Sequence, residues 1–570
     1  MNQIPTRRQM VFLAASMLVV LSRGASAQTR PDAGTLLRET ERPEMIRPVQ
    51  ALPPAPAEPM PDTAKGATVD VKGFRIVGAS LIAEAELQAQ LVDLHGQTLT
   101  LIELEKAAQR LAEHYRSRGW FARVYLPQQD IRDGIVTLAV IEGRLGAIET
   151  DTTAAQRADT AYVERLVTRG LTLGEPLAAD ALQRGLLLAN DLPGISARGI
   201  LEAGYRVGET RLRLRVDDTP FATGNVQATN HGVKSTGTTQ LGANLDLNNL
   251  SGHGDQLGLR AMTSQGLDSL RLHYAAPVGT DGLRVTARVS ELRYLLGGSF
   301  ATLDARGRAS TWGGSLSYPL LRSALRNLNL SIDVDRKQFA DDMLGAPSRR
   351  RDNNVLALAT SGDAIDGLAG GGLTQYGLSL SIGRLDLAGV TADLTTDQAS
   401  ARTQGGWHKL SANLARLQRL PADFTLSATF TAQWAGKNLD SSEKFSLGGP
   451  AGVRAYPVNE AAGDEGWLLN LELRRDLGYG WQAMGFLDAG GVRLHRREWG
   501  GWQGGAATPN HYELTGAGFG ISWQQPQSWS LRLSVATPLG SNPGRDSAGN
   551  NNDGSSQNST RAWMQLTKFF

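Results

Sequence analysis

From Phe221 to the C-terminus the chain alternates apolar and polar residues with a period of two, and this pattern restricts what it can fold into. Leu241, Ala243, Leu245 and Leu247 interleave with Gln240, Gly242, Asn244, Asp246 and Asn248, and Leu283, Val285, Ala287 and Val289 interleave with Arg284, Thr286, Arg288 and Ser290. Phe424, Leu426, Ala428, Phe430, Ala432 and Trp434 repeat the pattern against threonines, Ser427 and Gln433, and the last such segment is RAWMQLTKFF, Arg561 to Phe570. Successive strand side chains point to opposite faces, so each segment presents one aliphatic or aromatic face and one face of charges and amides. A soluble sandwich would alternate too. Segments of about ten residues suit a bilayer crossed at a tilt. Short turns, GTDG (Gly279 to Gly282) and DLGYG (Asp476 to Gly480), stand against long polar connections at 437–466, 495–510 and 538–560. That asymmetry fits an outer-membrane barrel. About 350 residues at roughly 22 per strand and connection predict an all-β barrel of about sixteen antiparallel strands around an aqueous lumen.

Composition agrees with this reading where it bears on it. The mature chain has no run of 18 apolar residues, which excludes spanning helices and leaves barrel strands open. Cysteine is absent, which removes disulfides, thiolate catalysis and cysteine metal sites. With 58 basic against 56 acidic residues the net charge of +2 gives no argument for nucleic acid. The eight histidines form no HExxH or i, i+4 pair, so no metal is expected, and no G-x-x-x-x-G-K-[ST] loop announces a nucleotide. No cofactor is expected. GAGFG, Gly516 to Gly520, lies in a strand-like run with no helix after it, so it reads as close packing in the barrel. Ser541 to Thr560 reads as a flexible surface loop.

The segments before the barrel divide in order. Residues 1–27 read as a signal peptide: Arg7 and Arg8, an apolar run from Val11 to Leu21, and Ala25-Ser26-Ala27 before Gln28. Residues 28–42 hold a short helix from Pro31 to Arg42, with Asp32 as N-cap and Leu36 and Leu37 as a thin apolar stripe, marginal if isolated. Residues 43–68 are a proline-rich, extended spacer. A helix on such a tether suggests a plug that docks and can leave.

Residues 69–145 read as strand, helix, helix, strand, strand: Phe74 to Val77, Ala83 to Leu94, Leu101 to Arg118, Ala122 to Leu126 and Gly134 to Glu142. The second helix places Leu101, Leu104, Ala108, Leu111 and Tyr115 on one face. Residues 146–219 repeat the order with Ala147 to Thr150, Ala161 to Arg169, Ala178 to Asn190, Ala197 to Ala203 and Thr210 to Val216. Two units of about 75 residues in tandem suggest a modular arm, each with a sheet edge that could accept an extended peptide. Residues 220–570 are the barrel.

Two stretches carry a candidate site. GGPAGVRAYP, Gly448 to Pro457, is a glycine- and proline-rich loop that carries Arg454, and GFLDAG, Gly485 to Gly490, is a strand with Phe486 and Asp488 on one face. Arginine is the best partner for a partly buried carboxylate because its fork binds both oxygens. Trp481, Ala483 and Leu487 have the opposite parity, so Asp488 is expected inward. Glu472, on the face of Asn470 and Arg474, is expected inward as well.

The order of these features resembles the two-partner secretion transporters, called TpsB or type Vb: an export signal, a tethered helix, two units of the POTRA type, a barrel, a VRGY-like loop and an F-x-D-x-G strand. The resemblance spans essentially the whole mature chain. It implies an outer-membrane protein, not an enzyme, whose POTRA domains in the periplasm capture a secreted exoprotein partner. That partner is usually a β-helical adhesin or haemolysin, which the barrel passes unfolded to the surface. It also implies that the long loop folds back into the lumen, with Val453, Arg454, Ala455 and Tyr456 meeting Phe486, Asp488 and Gly490. Ala455 stands where the wider superfamily often has glycine, which would matter only at positive φ. The expected partners are the exoprotein and outer-membrane lipid, with no nucleic acid, and the expected state is a monomer. An assembly factor of the same superfamily and a plain porin are the alternatives. More POTRA units would suit the first, and no plug or arm would suit the second.

Overall fold

Sixteen strands close into one antiparallel barrel, as the alternation predicts. The structure is a computed structural model and describes residues 30–41, 68–131, 133–206, 208–503 and 508–570, so the signal peptide at 1–27 and the spacer at 43–67 lie outside the described residues. Two short strands, Thr68–Val71 (β1) and Gly73–Val77 (β2), open the first unit before the barrel. Gln97–Thr100 (β3), Ala122–Tyr125 (β4) and Ile135–Glu142 (β5) complete it. The second unit holds Arg144–Asp151 (β6), Ile195–Ala203 (β7) and Glu209–Asp218 (β8). The barrel runs through Ala222–Thr229 (β9), Gln240–Asn248 (β10), Gln256–Ser264 (β11), Leu267–Val278 (β12), Leu283–Leu295 (β13), Arg306–Arg322 (β14), Arg326–Met343 (β15), Ala346–Asp366 (β16), Gly372–Asp386 (β17), Gly405–Arg419 (β18) and Phe424–Ala435 (β19). Two-residue strands Phe445–Ser446 (β20) and Ala462–Gly463 (β21) pair with each other inside the long connection that follows. Glu465–Gly478 (β22), Trp481–Arg493 (β23), His511–Gln525 (β24), Trp529–Pro538 (β25) and Arg561–Phe569 (β26) finish the wall, and β26 pairs with β9 from Gln565↔Thr229 to Phe569↔Asn225.

Parity decides what each wall residue meets. Val289, Val334 and Leu487 face outward and are more than half exposed, as a lipid-facing surface requires, while Asn470, Glu472 and Asp488 are buried on the lumenal side. Strand length departs from the expectation of about ten residues: β14, β15 and β16 run for 17, 18 and 21 residues. They can do so because above the apolar band their outward side chains become polar and tolerate water.

In the first unit β2 runs parallel to β5, and β4 flanks β5 on its other side. The long helix, Leu101–Ser117, starts with a capping box in which Thr100 and Glu103 satisfy each other's backbone donors, and it buries Leu104, Ala108, Leu111 and Tyr115 against the sheet. Leu101 departs from the expected stripe and is 55% exposed, because it is the first helical residue and projects beyond the sheet. The earlier helix is shorter than expected. It spans Glu84–Ala89, and Val92–Leu94 form a separate 3₁₀ turn that leaves Val92 in solvent while Leu91 turns inward. Two further strands that periodicity does not mark, β1 and β3, pair as a small second sheet.

The second unit repeats the plan, with β6 parallel to β8 and β7 at its edge. Its helices, Thr160–Val167 and Ala179–Asn190, cross so closely that a Cβ on Gly185 would lie 2.3 Å from the carbonyl oxygen of Val167. The unit is joined to the short-turn end of the barrel. Tyr162 donates its hydroxyl to Gly279 O at 2.8 Å, Asp159 N donates to Gly252 O at 2.8 Å, and Arg322 grips Asp191 with two bonds of 2.7 and 2.8 Å. The long loops therefore lie at the opposite end.

Candidate functional site

The connection between β19 and β22 folds back into the lumen as a tight knot. Val453 N donates to Leu447 O at 2.7 Å, Gly449 N donates to Tyr456 O at 3.1 Å, and Val453 and Tyr456 are fully buried. At its centre Arg454 meets the wall. Its Nε lies 2.8 Å from Asp488 Oδ2, its Nη2 lies 2.6 Å from Asp488 Oδ1, and its backbone N donates to Oδ2 at 3.1 Å. Nη1 donates to Glu472 Oε1 at 2.5 Å. The guanidinium carbon sits 3.4 Å from the centroid of Phe486, so the F-x-D strand supplies both an ion pair and a π face.

Each expected residue has a definite place here. Asp488, Phe486 and Glu472 touch Arg454 directly; Val453 and Tyr456 shape the loop; Gly490 acts by having no side chain, since a Cβ there would lie 2.6 Å from Leu447 Cδ2. Ala455 is fully buried and is not among the residues of positive φ, so replacing the superfamily's glycine introduces no backbone strain. An aqueous lumen would leave such an ion pair solvated, but this one is dry. Arg454 and Asp488 are only 3% and 2% exposed, because the knot itself fills the lumen around them and excludes water.

Several contributors are legible only in three dimensions. Arg474 and Arg532 both hold Glu472, at 2.5 and 2.8 Å, so three arginines share two carboxylates. Asn470 donates to Asp488 Oδ1 at 2.7 Å and to Gly452 O at 2.9 Å, tying charge and loop backbone together. Trp563, on the last strand, donates its indole N–H to Arg454 O at 2.8 Å. On β24 the alternate glycines of GAGFG clear the space: a Cβ on Gly516 would lie 2.7 Å from Ala455 Cβ, and one on Gly518 would lie 2.4 Å from Phe486 Cζ. Period two in β24 already placed Gly516, Gly518 and Gly520 on one face, but nothing in the sequence says what fills that groove.

The N-terminal helix, Ala33–Glu41, is docked within the barrel. Leu36 and Leu37 are buried with Leu267, Leu292, Tyr294 and Phe339, which supplies the packing that so short a helix lacks alone. Asp32 caps it, accepting from Thr35 N at 2.9 Å, and binds Arg349 at 2.6 Å and Ser441 Oγ at 2.8 Å. Burial opposes ionisation of Asp32, but Arg349 and Arg351 outweigh it and hold the carboxyl below its usual range. Arg38 donates to Ser441 O at 2.9 Å and Lys444 O at 3.1 Å, so the helix is bonded to the same loop that carries Arg454.

The last loop is not the free surface segment its composition suggests. Asn542 and Asn551 are buried, and Asn542 Nδ2 and Asn552 N each donate at 2.8 Å to the buried carboxyl of Glu460 in the knot. A row of short polar side chains satisfies itself against the knot as readily as against water.

Comparison with known proteins places this geometry. Residues 208–523 match the family model of haemolysin secretion/activation proteins ShlB/FhaC/HecB, and residues 69–143 match the ShlB-type POTRA domain. The heme/hemopexin transporter protein HuxB of Haemophilus influenzae is 28% identical over 555 residues, covering 94% of this chain and 96% of that one. The outer membrane transporter CdiB of Dickeya dadantii is 23% identical over 475 residues, covering 77% and 80%. The solved structure of CdiB from Escherichia coli superposes with a TM-score of 0.65 at 21% identity, covering 90% of this chain and 93% of that one.

Proposed function

The chain belongs to the haemolysin secretion/activation family and is an outer-membrane transporter of two-partner secretion, and on that premise we propose how its parts divide the work. The units at 69–145 and 146–219 are tandem POTRA domains that capture one large exoprotein in the periplasm. The barrel at 220–570 conducts it as an extended chain. The helix at 28–42 plugs the resting lumen, the spacer at 43–68 lets it leave, and the Arg454 knot holds the long loop in a conducting arrangement. Arg454, Asp488, Glu472 and Phe486 are the latch, with Val453, Tyr456 and Gly490 shaping it. The protein works as a monomer and performs no catalysis.

The observation that carries this reading is the docking of Ala33–Glu41 against the latch loop through Arg38, in a barrel whose short-turn end is joined to the second unit. Plug, latch and arm are then parts of one passage. A photo-crosslinking residue at Ile200, exposed on the edge strand β7, tests capture in intact cells. A single large exported protein trapped before its appearance outside supports the reading. Outer-membrane barrel proteins trapped there instead favour an assembly factor.

The cargo is a large β-helical adhesin or haemolysin in our reading. The relative named for heme/hemopexin transport covers nearly the whole chain, so an exoprotein that binds a heme-carrying protein is the first class to test.

A further inference from the structure

The lipid-facing wall changes character abruptly on one side of the barrel. Across β14 to β17 the register aligns Gly314, Val334, Leu356 and Ile382 in one row, all outward by parity, and the last three are strongly exposed apolar side chains. Trp312, 54% exposed, stands in the next row toward the long loops, where an amphipathic ring suits the edge of the hydrocarbon. Four residues further along β14 comes Arg308, about 10 Å higher along the membrane normal for a tilted strand. That is headgroup depth in the outer leaflet, since the arm occupies the opposite end.

At that height the register sets two like charges side by side. Arg293 on β13 pairs with Arg308 on β14, and both point outward. Directly opposed cations in adjacent strands repel, so an unrelieved pair is destabilising. The surrounding carboxylates relieve it on one side only: Asp268 faces Arg293 from β12 and Glu291 pairs with it, while none among the described residues reaches Arg308. Asp342 is bound by Arg350, Asp352 is held by Arg336, Asp268 accepts from Thr263 at 2.6 Å, and Glu291 accepts from Ser310 at 2.5 Å and from Arg293 at 3.4 Å. Arg293 keeps a side chain 75% exposed, and Arg308 has no ion pair or hydrogen bond among the described residues.

The neighbouring positions leave room for a ligand. Ala340 follows Arg308 across the row on β15 and offers only a methyl group, so no long side chain stands between Arg308 and Arg350. Below this row lie Ser310 and the exposed Gln338, then the row of Trp312 and Arg336, and below that the apolar row. Cations, then sugar-sized hydrogen-bonding groups, then hydrocarbon contacts follow in order along the membrane normal.

We infer that Arg293 and Arg308 clamp a phosphate of an outer-leaflet glycolipid, one whose sugar headgroup bears phosphate monoesters above acyl chains. Two guanidinium forks a strand apart match one phosphate, and the anion supplies Arg308 with the partner that no carboxylate gives it. The occupant is a lipid rather than a dissolved ion because the clamp stands at headgroup height over the apolar wall.

The test uses the full-length protein, purified free of glycolipid in a zwitterionic detergent, with native mass spectrometry and three probes: bisphosphorylated lipid A, its dephosphorylated form, and inorganic phosphate. Wild type should retain bisphosphorylated lipid A, and Arg293→Gln/Arg308→Gln should weaken that retention on the order of tenfold or more, as expected for losing charge-assisted bonds. Arg308→Lys keeps charge without the fork and should fall between them. Arg416→Gln, at an outward ion pair with Asp366 near the opposite end, should bind as wild type does. Heat-modifiability of each variant confirms a closed barrel. Equal retention by the double variant, or by the dephosphorylated lipid, overturns the inference. Displacement by inorganic phosphate at concentrations comparable to the lipid assigns the clamp to a free anion and overturns it too.

Discussion

Arg454 binds Asp488 with three donors at once, its own backbone N–H and two guanidinium nitrogens, at 3.1, 2.8 and 2.6 Å. The loop backbone and the loop side chain are thereby fixed by the same carboxylate. Because both partners are buried, removing one leaves an uncompensated charge, and the penalty is about 3–5 kcal/mol rather than the fraction of a kcal/mol typical of a surface pair.

Arg454→Ala and Asp488→Ala should each reduce secretion at least about tenfold while the barrel still inserts and remains heat-modifiable. The double variant should secrete no less than the worse single one, because both remove one coupling. Quantitative secretion of the exoprotein, normalised to barrel in the membrane, measures this. Independent multiplication of the two effects would rule out a shared latch.

Phe486 should tolerate Tyr better than Leu, since the guanidinium contact is with a π face 3.4 Å away and not with apolar volume alone. We expect Phe486→Leu to lower the unfolding temperature and secretion together, and Phe486→Tyr to stay near wild type. A thermal melt followed by tryptophan fluorescence separates the two.

Gly518→Ala should disturb the site from the neighbouring strand. The added Cβ would lie 2.1 Å from Val535 O and 2.4 Å from Phe486 Cζ, so ring and backbone must both shift, at about 1–3 kcal/mol. Gly485→Ala is the control on β23, where a Cβ meets nothing within 4 Å. Comparable secretion from both variants would show that the glycine groove has no role.

Deleting residues 28–62 should raise conductance in planar bilayers while secretion persists. Arg38→Ala should do the same to a smaller degree, because it removes three bonds, of 2.9, 3.1 and 2.9 Å, to the latch loop and leaves the apolar contacts of Leu36 and Leu37. Unchanged conductance in the deletion would eliminate the plug.

Glu460 should give the protein a pH dependence. Burial pushes its carboxyl up to about 7, against the donors on Asn552 and Asn542; Asp553 adds to the rise and Arg561 opposes it. A raised acid contributes stability in full below its unfolded value and loses it as pH rises through the folded one. The contact between the knot and the last loop should therefore weaken as pH rises through about 7. Conductance noise should grow from pH 6 to pH 8 in wild type, these bracketing the carboxyl by about one unit. Glu460→Gln should flatten that profile, and an unchanged profile would remove Glu460 as its source.

Local regularity made much of this protein legible without coordinates. The period of two in Leu283–Ser290 decided which side chains meet lipid, because a strand has only two faces and a membrane assigns one of them. The inward parity of Asp488 and Glu472 followed from the same geometry. What sequence could not supply were relations between strands far apart in the chain. Register sets Arg293 beside Arg308, the knot dries the lumen around Arg454, and Gly516 makes room for Ala455 from a different strand. Burial, and with it the strength of a charge pair, depends on everything that surrounds a side chain in space. The tertiary structure alone decided that Arg454 and Asp488 are a dry contact and that the last loop closes over Glu460.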